Sequence, residues 1–88
     1  MDFEWDDAKD RVNRDKHGIG FDAVVGFDWD MAKILDRTRH EDGEPRFAAI
    51  GMFRGRLFTV IYTWRNGTRR IISFRRSNTS EETAYGQD

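Results

Sequence analysis

The chain has 88 residues, no cysteine and a formal net charge of −1. That length sets one domain, residues 1–88, burying roughly 60% of the surface its unfolded chain exposes, and the missing thiols exclude disulfides and thiolate metal sites. No apolar run approaches the ~18–20 residues of a membrane-crossing helix, and the acidic start MDFEWDDAKD lacks the basic and apolar regions of a signal peptide, so a soluble cytoplasmic domain is expected.

The charges are not spread evenly. Residues 1–30 carry a net −5, residues 44–78 a net +7 and residues 79–88 a net −3. The basic segment holds eight arginines and no lysine. Planar guanidinium groups suit bidentate phosphate recognition and stacking on bases, so a polyanionic partner is plausible. Arginine is equally at home on solvated strand edges.

In chain order, FEWDDAKDRVNRDKHGIGF reads as a first helix. Asp6 or Asp7 caps its start, Ala8, Val12 and Lys16 recur at helical spacing, and Gly18 stops it. FDAVVGFD is a short second helix with Phe21, Val24, Val25 and Phe27 apolar. A short strand over Lys33–Asp36 leads into a polar turn, then strands over Arg46–Phe53 and Arg56–Trp64 meet across Arg54-Gly55. Asn66-Gly67, a strong hairpin signal, introduces a last strand over Arg69–Arg75. NTSEETAYGQD closes as a short helix started by Asn78, Thr79 or Ser80. The expected fold is α+β in the order ααββββα, an antiparallel sheet of about four strands with helices packed on one face.

Strict alternation puts Arg70, Ile72, Phe74 and Arg76 on one side of the last strand, and Arg69, Ile71, Ser73 and Arg75 on the other. The preceding strand separates Phe58, Val60, Tyr62 and Trp64 from Leu57, Thr59, Ile61 and Thr63. Ser73 and Arg75 thus share a hydroxyl-bearing face that suits a phosphodiester backbone.

The chain has no GxGxxG, P-loop, GxSxG or HExxH motif. His17 and His40 lie in different segments, so no metal or cofactor is expected. Metal-free RNA cleavage uses the ribose 2′-hydroxyl as nucleophile and needs charge stabilisation and proton transfer from the protein. Arg65, Arg70, Arg75 and Arg76 are candidates for the first; His40, Glu81, Glu82 and Tyr85 for the second. Each has a plainer reading: a solvated loop histidine, helix-start charges, an aromatic closing the core. His17 is either a partner of its helix dipole or a phosphate contact beside Lys16.

KHG-x-x-F at Lys16–Phe21, H-x-x-G-E-x-R at His40–Arg46 and R-I-I-S-x-R at Arg70–Arg75 occur in an order and spacing that resemble the BrnT family of type II toxin–antitoxin toxins, from Phe3 to Tyr85. The resemblance implies a RelE-like fold, metal-independent endoribonuclease activity that halts translation, and a cognate ribbon-helix-helix antitoxin. The antitoxin would assemble with the toxin as a hetero-oligomer and carry it to operator DNA. By position, Arg46, Arg65, Arg70 and Arg75 fall on recurrent basic sites of the family; His40, Glu44, Glu81 and Tyr85 fall on recurrent polar ones. The assignment is Arg65, Arg75, Glu81, Tyr85 and His40 as catalytic, with Lys16, Arg46, Arg69, Arg70 and Arg76 on RNA. Three departures stand out: Asp7 for a helix-starting proline, Phe74 for an alanine, and Glu82 for an arginine. The alternatives are a catalytically weak RNA- or partner-binding module of the same fold, or a co-repressor acting with the antitoxin at DNA.

Overall fold

The computed structural model describes residues 2–39, 41 and 43–87. The first strand, β1 (Phe3–Trp5), precedes helix α1 (Asp7–His17), a 3₁₀ turn over Phe21–Gly26, four strands and helix α2 (Thr79–Tyr85). The strands are β2 (Lys33–Asp36), β3 (Phe47–Phe53), β4 (Arg56–Arg65) and β5 (Thr68–Arg76). They form one sheet in the order β1-β5-β4-β3-β2. β1 runs parallel to β5, and the other neighbours are antiparallel. The sheet therefore has five strands and is mixed, where four antiparallel strands were expected. Phe3–Trp5 is too short to show periodicity, so along the sequence it reads as part of the helix that follows it.

Local chemistry sets the element ends. Asp6 accepts hydrogen bonds from the N–H groups of Ala8 (2.8 Å) and Lys9 (3.1 Å), which hold its carboxyl below the ordinary range. Gly18 closes α1 in the left-handed conformation, at φ 73°. Both hairpin turns carry two successive positive φ angles, at Arg54-Gly55 and Asn66-Gly67, the geometry whose twist matches paired strands. α2 starts in a reciprocal capping box between Asn78 and Glu81.

Three expectations fail here for physical reasons. Ala8 and Val12 do not face the core: Val12 is exposed, and the buried residue of α1 is Asn13. Its amide donates to the Phe74 carbonyl (2.7 Å) and accepts from the Phe74 N–H (3.2 Å). Asn13 thereby continues the pairing of the β5 edge beyond the end of β1, satisfying backbone groups that burial would otherwise orphan.

Alternation along β5 is also broken. Ile61 pairs with Ser73 and Tyr62 with Ile71, so Ile72 is the extra residue of a bulge. Arg69 and Ile71 consequently share the face of Phe74 and Arg76, while Arg70 joins Ser73 and Arg75.

The helices, finally, do not share one face. Phe21, Val24 and Phe27 of the 3₁₀ segment pack with Ala49, Phe53, Val60, Tyr62, Ile71 and Phe74. Phe74, the departure from alanine, is fully buried and meets Phe27 and Phe53 edge-on, with centroids 6.1 and 5.1 Å apart. A Cβ at Gly51 would stand 2.9 Å from the Phe27 ring, so a larger residue there would force the packed ring to shift. α2 lies on the opposite face, tied to β5 through Arg75 and Glu81. Lys33 on β2 donates to the carbonyls of Ala84 and Gln87 (2.7 Å each), closing the end of that helix. No helix among the described residues is long and apolar enough to cross a membrane.

Candidate nucleic-acid interface

On the α2 face, Arg75 pairs with Thr59 in the β4–β5 register and Ser73 with Ile61. Thr59 is buried, and its hydroxyl lies 2.8 Å from that of Ser77. Arg75 crosses to α2 and donates two hydrogen bonds to Glu81, Nη1 to Oε1 at 2.7 Å and Nη2 to Oε2 at 2.9 Å. Glu81 is 4% exposed and also accepts the Asn78 N–H at 2.9 Å. Burial by itself pushes the Glu81 carboxyl up. The hydrogen bonds from Arg75, the Asn78 N–H and Thr59 more than offset it and leave the group at about 2. Glu81 is thus a fixed anion at neutral pH, and the same bonds raise Arg75 above its ordinary value.

Arg75 and Glu81 form one wall of a cleft. Its floor includes Ile61, its near rim Asn78 and Ser80, and its far side Arg37, Arg39 and Arg46. The far side is held as a unit. The Arg37 N–H donates to the Arg46 carbonyl (2.7 Å), and the Arg46 N–H donates to the Thr38 hydroxyl (3.1 Å). Arg37 and Arg39 make no side-chain hydrogen bond or ion pair among the described residues. Arg46 Nε is shielded from solvent and has no partner among them either. Among the described residues, four guanidinium groups line one polar hollow with a single carboxylate, and that carboxylate is spent on Arg75.

The cleft gathers three of the expected site residues: Arg46, Arg75 and Glu81. Tyr85 is half-buried in the last turn of α2 and does not line it. Arg65 is exposed and holds Glu44 at 3.1 Å. Arg70 shares the face of Arg75 but sits farther along β5, opposite Thr63 and 4.0 Å from Glu4. Arg69 lies on the other face, its guanidinium carbon 4.4 Å from the Trp29 ring centre and 4.7 Å from that of Trp64. Arg76 is on that other face as well, opposite Phe58. Lys16 is exposed at the end of α1, in an apolar groove with Val12 and Ile72. Beside it His17 is held below its usual value by burial, Lys16 and Arg75. His40 falls outside the described residues. Glu82 is exposed and outside the cleft lining.

Sequence reasoning missed Arg37 and Arg39. Their signal was an i, i+2 arginine pair just after a strand, a spacing that aims both side chains the same way in extended chain.

A family model described as the ribonuclease toxin BrnT of type II toxin–antitoxin systems matches residues 5–81. Among solved structures, the crystal structure of the Brucella abortus ribonuclease toxin BrnT is similar to this chain, with a TM-score of 0.70 at 28% sequence identity. The match covers 90% of this chain and 99% of that one. No curated protein matches the chain. With its arginine-lined cleft on an α+β scaffold, the chain belongs to the BrnT family of ribonuclease toxins of type II toxin–antitoxin systems.

Proposed function

We propose that the chain is a metal-independent endoribonuclease that cuts RNA in the Arg37–Arg39–Arg46–Arg75 cleft and thereby inhibits translation. A ribbon-helix-helix antitoxin neutralises it in the cytoplasm and carries it to operator DNA. The observation that carries this reading is the cleft itself: among the described residues, Arg37, Arg39 and the Arg46 Nε lack side-chain partners, and they line one hollow with Arg75, which Glu81 holds in place.

In the reaction the ribose 2′-oxygen attacks the adjacent phosphorus and the bond to the 5′-oxygen breaks. One proton leaves the 2′-hydroxyl, one reaches the leaving oxygen, and the products are a 2′,3′-cyclic phosphate and a 5′-hydroxyl. Arg75 stabilises the charge that builds on the phosphoryl oxygens, and Arg46 neutralises the strand beside it. Glu81 serves as a positioning residue: ionised and fully engaged, it holds the Arg75 fork and moves no proton. His40 and Tyr85 remain the candidates for proton transfer, and Arg65 for a contact with RNA outside the cleft.

The test is cleavage of RNA by purified protein in EDTA, with growth arrest on induced expression as its counterpart in cells. Arg75→Ala and Arg46→Ala are compared with the wild type at matched soluble protein. Arg46→Ala leaves the buried Glu81 paired, so its loss of activity reports on the cleft and not on folding. Cyclic-phosphate ends from the wild type and loss of cutting in both variants support the reading. RNA binding without cutting by the wild type in any buffer would leave the weak-nuclease alternative instead. Cutting that EDTA abolishes would remove the metal-independent mechanism.

A further inference from the structure

A second group of arginines lies across the sheet from the cleft. The turn joining β3 to β4 and the end of β5 set Arg54, Arg56 and Arg76 around another depression, with Phe53 and Phe58 in its floor and His17 at its rim. The strand register explains the grouping: Arg56 pairs with Phe53, and Arg76 with Phe58. Among the described residues, none of the three guanidinium groups has a hydrogen bond or ion pair, and no carboxylate lines the depression. Arg54 is laid over the Phe53 ring, 4.8 Å from its centre.

We propose that Arg54, Arg56 and Arg76 form a second phosphate-binding site, which takes the RNA strand as it leaves the Arg75 cleft and turns round the end of β5. The inference rests on the ribonuclease reading of that cleft. Arg75 and Arg76 are consecutive in β5, so alternation sends one to each face at a single strand end, about 3.4 Å apart along the chain. A strand held by Arg75 has the second site as its nearest continuation. Arg75 also acts on His17 at the rim of the second site, after burial and Lys16, which sets the two sites within electrostatic reach. Three unpaired guanidinium groups and no carboxylate suit a polyanion, and an aromatic floor suits the flat faces of sugars and bases. An acidic peptide would meet the same charges, but continuity with the cleft favours the nucleic acid.

The experiment measures binding of a fluorescein-labelled RNA of about 20 nucleotides, fully 2′-O-methylated so that it lacks the nucleophile. Anisotropy is followed between about 50 and 300 mM salt. The variant is R54N/R56T/R76T. Asparagine tolerates the positive φ at position 54, threonine keeps the strand positions extended, and matched thermal unfolding establishes that the variant is folded. The expected log–log salt slope is shallower than wild type by about 2, from ~0.7 per lost phosphate contact on a single strand. Affinity at the lowest salt falls at least about ten-fold, and an RNA of about four nucleotides loses much less. R54K/R56K/R76K retains the wild-type slope.

An unchanged slope in the folded threonine variant overturns the inference. So does a variant that binds RNA normally but no longer binds the antitoxin, since the surface then reads protein. Wild-type protein that binds no RNA removes the cleft reading as well, whereas wild-type binding with an unchanged variant removes this inference alone.

Discussion

Beneath the 3₁₀ segment, the sheet buries Phe21, Val24, Phe27, Phe53, Val60, Tyr62, Ile71 and Phe74. Beneath α2, Ala48 and Ile50 are buried together with the polar Thr59, Thr63 and Glu81. On the first face stability comes from apolar area and edge-to-face rings, which any well-fitting aromatic set supplies. On the second face each buried polar group needs a specific partner: Thr59 meets Ser77, Thr63 donates to the Pro45 carbonyl, and Glu81 binds Arg75. A polar layer of this kind stabilises less per residue but fixes side-chain positions. The division shows one sheet whose first face buries mainly apolar side chains and whose second face buries apolar and partnered polar side chains together.

The largest effect expected is on the aromatic face. Phe74→Ala removes a fully buried ring and should destabilise the fold by about 3–5 kcal/mol in urea or guanidinium unfolding. RNA cutting per folded molecule should be retained. If cutting vanished while the remaining protein stayed folded, the two faces would not be separable.

Glu81→Gln comes next and tests the other face. It leaves the part-buried Arg75 without its anion, at a cost of about 1–3 kcal/mol. It also lowers the rate of RNA cleavage at saturating substrate more than it changes KM, because Arg75 loses its fixed geometry. The pH dependence follows from the same pair. The Glu81 carboxyl sits at about 2 when folded and near 4.5 when unfolded, so its contribution is fully present above the unfolded value. It is lost as pH falls from about 5 toward 2, an upper limit of roughly 3 kcal/mol. Acid unfolding of the glutamine variant should lack this component. An identical acid profile would show that the pair contributes no net stability.

Asn13→Leu probes the seam between the regions. It deprives both Phe74 backbone groups of their partner and should cost about 1–3 kcal/mol. Amide exchange at Phe74 should accelerate beyond that of its β4 partner Val60. Equal acceleration at both would mean that the edge of β5 does not open by itself. The smallest effect is Lys33→Ala. It frees two carbonyls at the end of α2 and should cost about 1 kcal/mol, with cutting reduced no more than two-fold.

Elements written in local chemistry were legible in advance. The strand over Lys33–Asp36 stands where expected, both hairpin turns have the expected geometry, and Asp6, Gly18 and Asn78 end their helices. Half of the cleft was legible too, through Arg46, Arg75 and Glu81. Arg37 and Arg39 were not, because nothing local says which turn residues a distant strand end will face. Tyr85 and Arg65, expected in the site from residue type and from their positions in the family pattern, lie outside the cleft lining, because neither signal carries information about direction.

The sequence by itself determined the order of most elements, the apolar partner set of β4, and an arginine-rich basic segment over residues 44–78. Periodicity, caps and turn residues act within a few positions, so they can be read along the chain. Tertiary structure decided the parallel β1, the bulge at Ile72, and the placement of α2 across the sheet from the 3₁₀ segment. Each depends on a contact with another element: Phe3 with Arg69, Ile71 with Tyr62, Lys33 with Ala84. The bulge alone changes which of the arginines at 69 and 70 shares the face of Arg75. A one-residue slip in pairing exchanges the two faces of a strand, and only the partner strand sets that register.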